Sequence, residues 1–168
     1  MIYIYNDFGG THTTALAAAY HLKKLSIYQE LTKEEILNVP YFNQLTTSDM
    51  GKIIFHGIDE EGNSVYTVGR GASKHMLPAL KNLSLLLQEK YEGRQKIIFS
   101  NTSPTVPFAM TIGGLCSRWL KIDFIGVPLL VFGAKQCYQD VIRLVEHTKE
   151  IGKTTHKKVT VLKNKKFD

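Results

Sequence analysis

The start of the chain constrains its fold most. An apolar run, Ile2-Tyr3-Ile4-Tyr5, breaks at Asn6-Asp7-Phe8-Gly9-Gly10-Thr11-His12-Thr13-Thr14 and gives way to an alanine-rich stretch. In that stretch Ala15, Ala18, Ala19 and Leu22 share one helical face, and such small residues let a helix lie close on a sheet. Strand, paired glycines and hydroxyl-flanked helix together predict a tight loop with backbone N–H groups at the positive end of a helix dipole. That geometry favours an anion.

The same alternation continues along the chain. Thr32-Lys33-Glu34-Glu35 has the capping-box pattern and opens a short helix that Pro40 must end. Lys52–Asp59 and Ser64–Gly69 read as strands joined by the turn Glu60-Glu61-Gly62-Asn63, a β-hairpin. Leu77–Tyr91 is leucine-rich and helical up to Gly93, and Lys96–Ser100 is a short apolar strand of the kind buried in parallel sheets. A helix is expected from Pro107 to Leu120, with close packing as the reason for Gly113-Gly114. Pro128–Phe132 reads as the last core strand, turned by Gly133 into a helix that carries Cys137, Val141 and Val145 on one face.

The expected fold is therefore α/β: a three-layer sandwich with a mainly parallel central sheet of about five strands and an inserted antiparallel hairpin. Ile2–Tyr5 and Lys96–Ser100 are expected to be central. Residues 1–152 form a single domain in this reading, and 153–168 form a basic C-terminal tail with Val159–Leu162 as a weak edge strand. Loops after parallel strands share one edge of the sheet, so the loop after the first strand and Asn101-Thr102-Ser103 should meet at one site.

Charge narrows the partners. Of the formal net charge of +6, the segment from Lys153 onward carries +5, through six lysines against Asp168. Such a tail lacks interleaved arginines and stacking aromatics, so no specific nucleic acid is expected. No apolar run approaches a membrane span, and Met1 leads straight into a strand, which makes the cytoplasm the expected compartment. Cys116 and Cys137 lack metal-binding spacing and read as buried apolar residues. No metal site and no cofactor are expected.

The first loop has neither the spacing nor the lysine of a Walker A motif, and it is not GxGxxG. Two readings of it stay open. In one, Gly9 and Gly10 form a backbone anion nest with Thr11, Thr13 and Thr14 as hydroxyl donors. In the other, Thr11 or Thr13 merely caps the helix. His12 would be held neutral by the helix N-terminus, able to donate to a ligand oxygen or act as a base, or it is structural. Asp7 is a candidate nucleophile, base or Mg²⁺ ligand, or else bonds its own turn. Arg70, between Gly69 and Gly71, suits bidentate recognition of phosphate or carboxylate, and Asn101, Thr102 and Ser103 could line the same pocket. Arg118 reads as structural or interfacial.

Several blocks occur together in order. They are Gly9-Gly10-Thr11-His12, Pro40-Tyr41-Phe42, the hairpin from Gly57 to Arg70, Ile112-Gly113-Gly114-Leu115-Cys116-Ser117-Arg118, Gly126-x-Pro128-Leu129, and Ala134-x-Gln136-x-Tyr138. In this the chain resembles, over residues 1–148, the uncharacterised family of spore-forming Firmicutes known as domain of unknown function 3189. The resemblance implies a small bacterial protein without an assigned activity. Two functional classes follow. One is a binding or regulatory module that takes a small anion, set in sporulating bacteria and compatible with a homo-oligomer. The other is a small hydrolase or phosphoryl-transfer enzyme acting on a phosphorylated metabolite, with Mg²⁺ entering only in that case.

Overall fold

The computed structural model describes residues 1–165; Lys166, Phe167 and Asp168 of the basic tail lie outside the described residues. Five strands form one sheet: β1 (Ile2–Asp7), β2 (Ile53–Ile58), β3 (Ser64–Gly69), β4 (Ile97–Asn101) and β5 (Val159–Leu162). Their spatial order is β2-β3-β1-β4-β5. β1 pairs in parallel with both β3 and β4, β5 pairs in parallel with β4, and only β2–β3 is antiparallel. The expected fold class is what forms, with β1 at the centre, β4 beside it and the hairpin local.

Alternation along β1 divides the core. Tyr5 faces a cluster made with α1 (Thr13–His21) and α5 (Asp123–Thr154). Ile4 faces the other side, with Val68, Phe99 and Val159, under Met76, Leu77 and Leu80 of α3 (Met76–Lys90). The first cluster is the thicker one, and it also takes in Ile36 of α2 (Lys33–Leu37) and Met110 of α4 (Phe108–Gly114). Thr32 caps α2 in a complete capping box with Glu35, as its sequence requires.

One expected element is wrong. Pro128–Phe132 is not a strand but lies inside α5, a helix of 32 residues. A short apolar run fits a buried strand or a buried helix equally well, and length decides between them. Here the longer series Gly126, Leu130, Ala134, Cys137, Val141, Val145, Thr148 and Gly152, all buried at helical spacing, makes it a helix. Gly133 is not a turn either. It sits against α4, where an added Cβ would fall 2.8 Å from the Cβ of Met110. The fifth strand is instead Val159–Leu162, at the edge of the sheet, with Val159 buried.

Gly113 and Gly114 are close-packed as expected. A Cβ on Gly113 would meet Leu130 N at 2.8 Å, and one on Gly114 would meet His12 Cε1 at 3.1 Å. After Gly114 the helix widens into a π turn, Leu115–Trp119, closed by Leu120 N–H donating to Leu115 O at 3.2 Å. Such turns rotate side chains away from the α-helical register. Here the turn carries Arg118 and Trp119.

Candidate functional site

Where β1 ends, its backbone stays paired with its neighbours. Arg70 N–H donates to Asp7 O at 2.9 Å, Gly71 N–H to Phe8 O at 2.9 Å, and Thr102 N–H to Asn6 O at 2.8 Å. The loops after β1, β3 and β4 are thus bound together at one edge of the sheet. Gly10 has φ +72°, and a Cβ there would lie 2.7 Å from Gly69 Cα. A Cβ on Gly69 would meet Gly9 O at 2.6 Å. The glycines let two backbones touch, so valine at position 10 would force the loop off β3 before it obstructed any ligand.

The carboxylate of Asp7 turns back into its own loop. Oδ1 accepts from Gly10 N–H at 2.5 Å and Oδ2 from the Thr13 hydroxyl at 2.9 Å. Burial pushes this carboxyl above the ordinary carboxylate range, opposed by those two hydrogen bonds and by the charge of Arg70. Thr13 Oγ1 also lies 3.0 Å from Thr102 Oγ1. The Gly10 N–H and the Thr13 hydroxyl are therefore already taken by the side chain of Asp7.

Neither Thr11 nor Thr13 caps α1. The N-cap residue is His12, with no side-chain cap hydrogen bond. Thr11 instead clamps the segment after α2: its hydroxyl donates to Tyr41 O at 2.6 Å and accepts from Leu45 N–H at 3.3 Å. Thr14 is buried, and its hydroxyl has no partner among the described residues. Arg70 donates from Nη2 to Ser103 Oγ at 3.1 Å, beside the loop. Asn101 turns toward the end of β5, donating to Lys163 O at 3.1 Å.

A cavity of about 480 Å³ opens at this edge, between the first loop and the α4–π-turn segment. Asp7, Gly9, Thr11, His12 and Ser103 border it. Gly10, Thr13, Thr14, Arg70, Asn101 and Thr102 are not among its lining residues. The rest of the wall is mostly apolar, with Phe8, Met50, Val106, Met110, Leu115 and Trp119, and it includes Arg118. Among the described residues Nη1 of Arg118 has no hydrogen-bond partner although it is buried, and burial works against the charge of this guanidinium. Sequence reasoning had set Arg118 aside. The available signal was its place just after Gly113-Gly114, whose close packing points the following turn at the first loop.

His12 is held on the wall of this cavity by Asn43, whose Oδ1 lies 3.2 Å from Nε2. Burial lowers its pKa to about 4; the bond to Asn43 opposes that shift and the charge of Arg118 adds to it. Burial is thus the main cause of its neutrality. A larger cavity, about 700 Å³, lies between residues 20–28 and the C-terminal half of α5. His21 borders it, but none of the residues singled out from the sequence does.

Among the described residues no group of three His, Cys, Asp or Glu side chains is arranged to hold a metal ion, and no helix is long and apolar enough to cross a membrane.

A strand–loop–helix edge with an apolar cavity bordered by Arg118 defines an α/β protein with a pocket at the carboxyl ends of its parallel strands. The family model described as protein of unknown function DUF3189 matches residues 2–150, and the chain belongs to that family. Comparison with curated proteins and with solved structures gives no match.

Proposed function

We propose that this protein is a binding or regulatory module for a small organic anion, held in the 480 Å³ cavity at the end of β1. The observation that carries the reading is Arg118, a guanidinium on the cavity wall with a buried nitrogen that no group among the described residues satisfies. A carboxylate or phosphate on the ligand would draw this guanidinium round to pair with it and give Nη1 the acceptor it lacks, and the apolar wall suits an aromatic or aliphatic body. This moves the anion contact from the Gly9–Thr14 nest, where Asp7 takes the Gly10 N–H, to the side chain of Arg118 across the cavity. Arg70 and Ser103 stay beside the site as its support.

The cytoplasm and the sporulating bacteria that the family resemblance implies are the setting of this proposal. Binding is favoured over catalysis because both oxygens of Asp7, the only carboxylate on the cavity wall, are engaged within its own loop. The test is thermal stabilisation by a panel of aryl carboxylates and aryl phosphates, repeated with Arg118→Gln. Stabilisation by at least one compound, lost in the variant, is the expected result. No stabilisation, or equal stabilisation of both proteins, would refute it. Mg²⁺-dependent hydrolysis of an aryl phosphate would favour the small hydrolase or phosphoryl-transfer enzyme instead.

A further inference from the structure

A chain of hydrogen bonds runs behind His12 to the start of α5. Ser117 Oγ lies 2.5 Å from Asp123 Oδ1, Asn43 Nδ2 lies 2.8 Å from Ser117 Oγ, and Asn43 Oδ1 lies 3.2 Å from His12 Nε2. The carboxylate at the far end gives the chain a direction. A carboxylate only accepts, so the single hydroxyl proton of Ser117 goes to Asp123. Ser117 Oγ must then accept from Asn43, which turns the Asn43 amide so that its carbonyl oxygen faces the imidazole. That oxygen can only accept, so the proton of a neutral His12 resides on Nε2.

Nδ1 is left with a lone pair. Among the described residues nothing hydrogen-bonds to it. The Cε1–Nδ1 edge of the ring lies against Gly114, another residue of the cavity wall, where a Cβ would meet Cε1 at 3.1 Å and Nδ1 at 3.7 Å. Any larger residue at 114 would cover that edge.

We propose that Asp123, Ser117 and Asn43 are positioning residues that fix His12 as the Nε2–H tautomer, so that Nδ1 accepts a hydrogen bond from the ligand and the cavity selects anions that also carry a hydroxyl or N–H donor. The ligand class rests on the cavity reading above; the tautomer does not. Arg118 takes the anionic end and His12 the donor.

The test has two arms, both on the full chain. Long-range ¹H–¹⁵N spectra at pH 7, with His12 assigned by its loss in His12→Gln, report the tautomer directly. A protonated Nε2 and a bare Nδ1 are expected, with a mixed signal in Ser117→Ala and recovery in Ser117→Thr. A protonated Nδ1 in the unaltered protein, or no change in Ser117→Ala, would overturn the proposal. In the second arm mandelate and phenylacetate, which differ by one hydroxyl, are titrated. Mandelate should bind about fivefold tighter, the worth of one neutral hydrogen bond, and lose that advantage in Ser117→Ala. Equal affinities would overturn the ligand class. Binding of neither would sink the cavity reading and the ligand class with it, while the spectrum still decides the tautomer.

Discussion

Helix α1 follows one histidine, its N-cap His12, and ends on another, His21, and the two differ in one hydrogen bond. At His21 both ring nitrogens are taken: Nε2 lies 3.0 Å from Asp59 Oδ2 and Nδ1 2.7 Å from Tyr5 Oη. Burial raises the carboxyl of Asp59, but hydrogen bonds from Asn63, His21 and Glu61 outweigh it and bring the pKa to about 2. It is therefore an acceptor, Nε2 of His21 carries the proton, and the Tyr5 hydroxyl donates to Nδ1. At His12 the tautomer is the same, but among the described residues no hydroxyl plays the part of Tyr5. His21 is buried and His12 half-buried, and desolvation brings both pKa values down to about 4. A depressed pKa therefore does not separate a structural histidine from a candidate site; the unclaimed nitrogen does. Nor does cavity size, since His21 borders the larger of the two cavities.

The strongest way to break this contrast is to remove each ring. His21→Ala should cost about 3–5 kcal/mol in urea unfolding, because it leaves a void and deprives both Tyr5 and Asp59 of a buried partner. A comparable loss from His12→Ala would erase the difference between the two ends.

Acid should act next most strongly. An unfolded histidine takes up its proton near its ordinary pKa of 6.5, whereas folded His21 waits until about 4. Between those values the unfolded chain binds more protons, so stability falls as pH drops from 6.5 to 4 and is flat above 6.5. His21 should contribute up to about 3 kcal/mol to that slope. Asp7 acts in the opposite sense, because its pKa is raised and its protonation relieves a buried charge. Urea midpoints measured from pH 4 to 8 check this, and a His21→Phe variant that keeps the full slope would contradict it.

Thr11→Ala should cost about 1 kcal/mol, the value of a hydrogen bond or two. It sharpens the comparison because the loss should appear as faster amide exchange in residues 41–45, the segment that carries Asn43, and not as fraying of α1. The smallest effect is expected from His12→Gln, under about 1 kcal/mol in urea unfolding, since a half-satisfied ring gives up little. The same variant should abolish the preference for mandelate.

The two ends were not equally legible. The strand, the glycine turn and the helix after it follow from local pattern, and so did Gly9, Thr11 and His12 near one edge. His21 carried no signal, because its partners Tyr5 and Asp59 come from β1 and from the hairpin turn and meet it only in the folded chain. Arg118 was dismissed because a lone arginine on a helix is ordinary until a π turn aims it at a cavity.

Periodicity and turn chemistry alone determined most of the elements, the central place of β1 and the edge where a pocket could form, because apolar spacing and glycine conformations act over a few residues. Tertiary structure decided the rest. Whether Pro128–Phe132 became strand or helix depended on the long face it shares with α5, and whether Gly10 N–H met a ligand or Asp7 depended on where the loop folded. Which nitrogen of His12 stays bare is set by Asp123, 111 positions away in the chain, through two other side chains. Hydrogen-bond direction passes through contacts in space, and spacing along a sequence does not contain it.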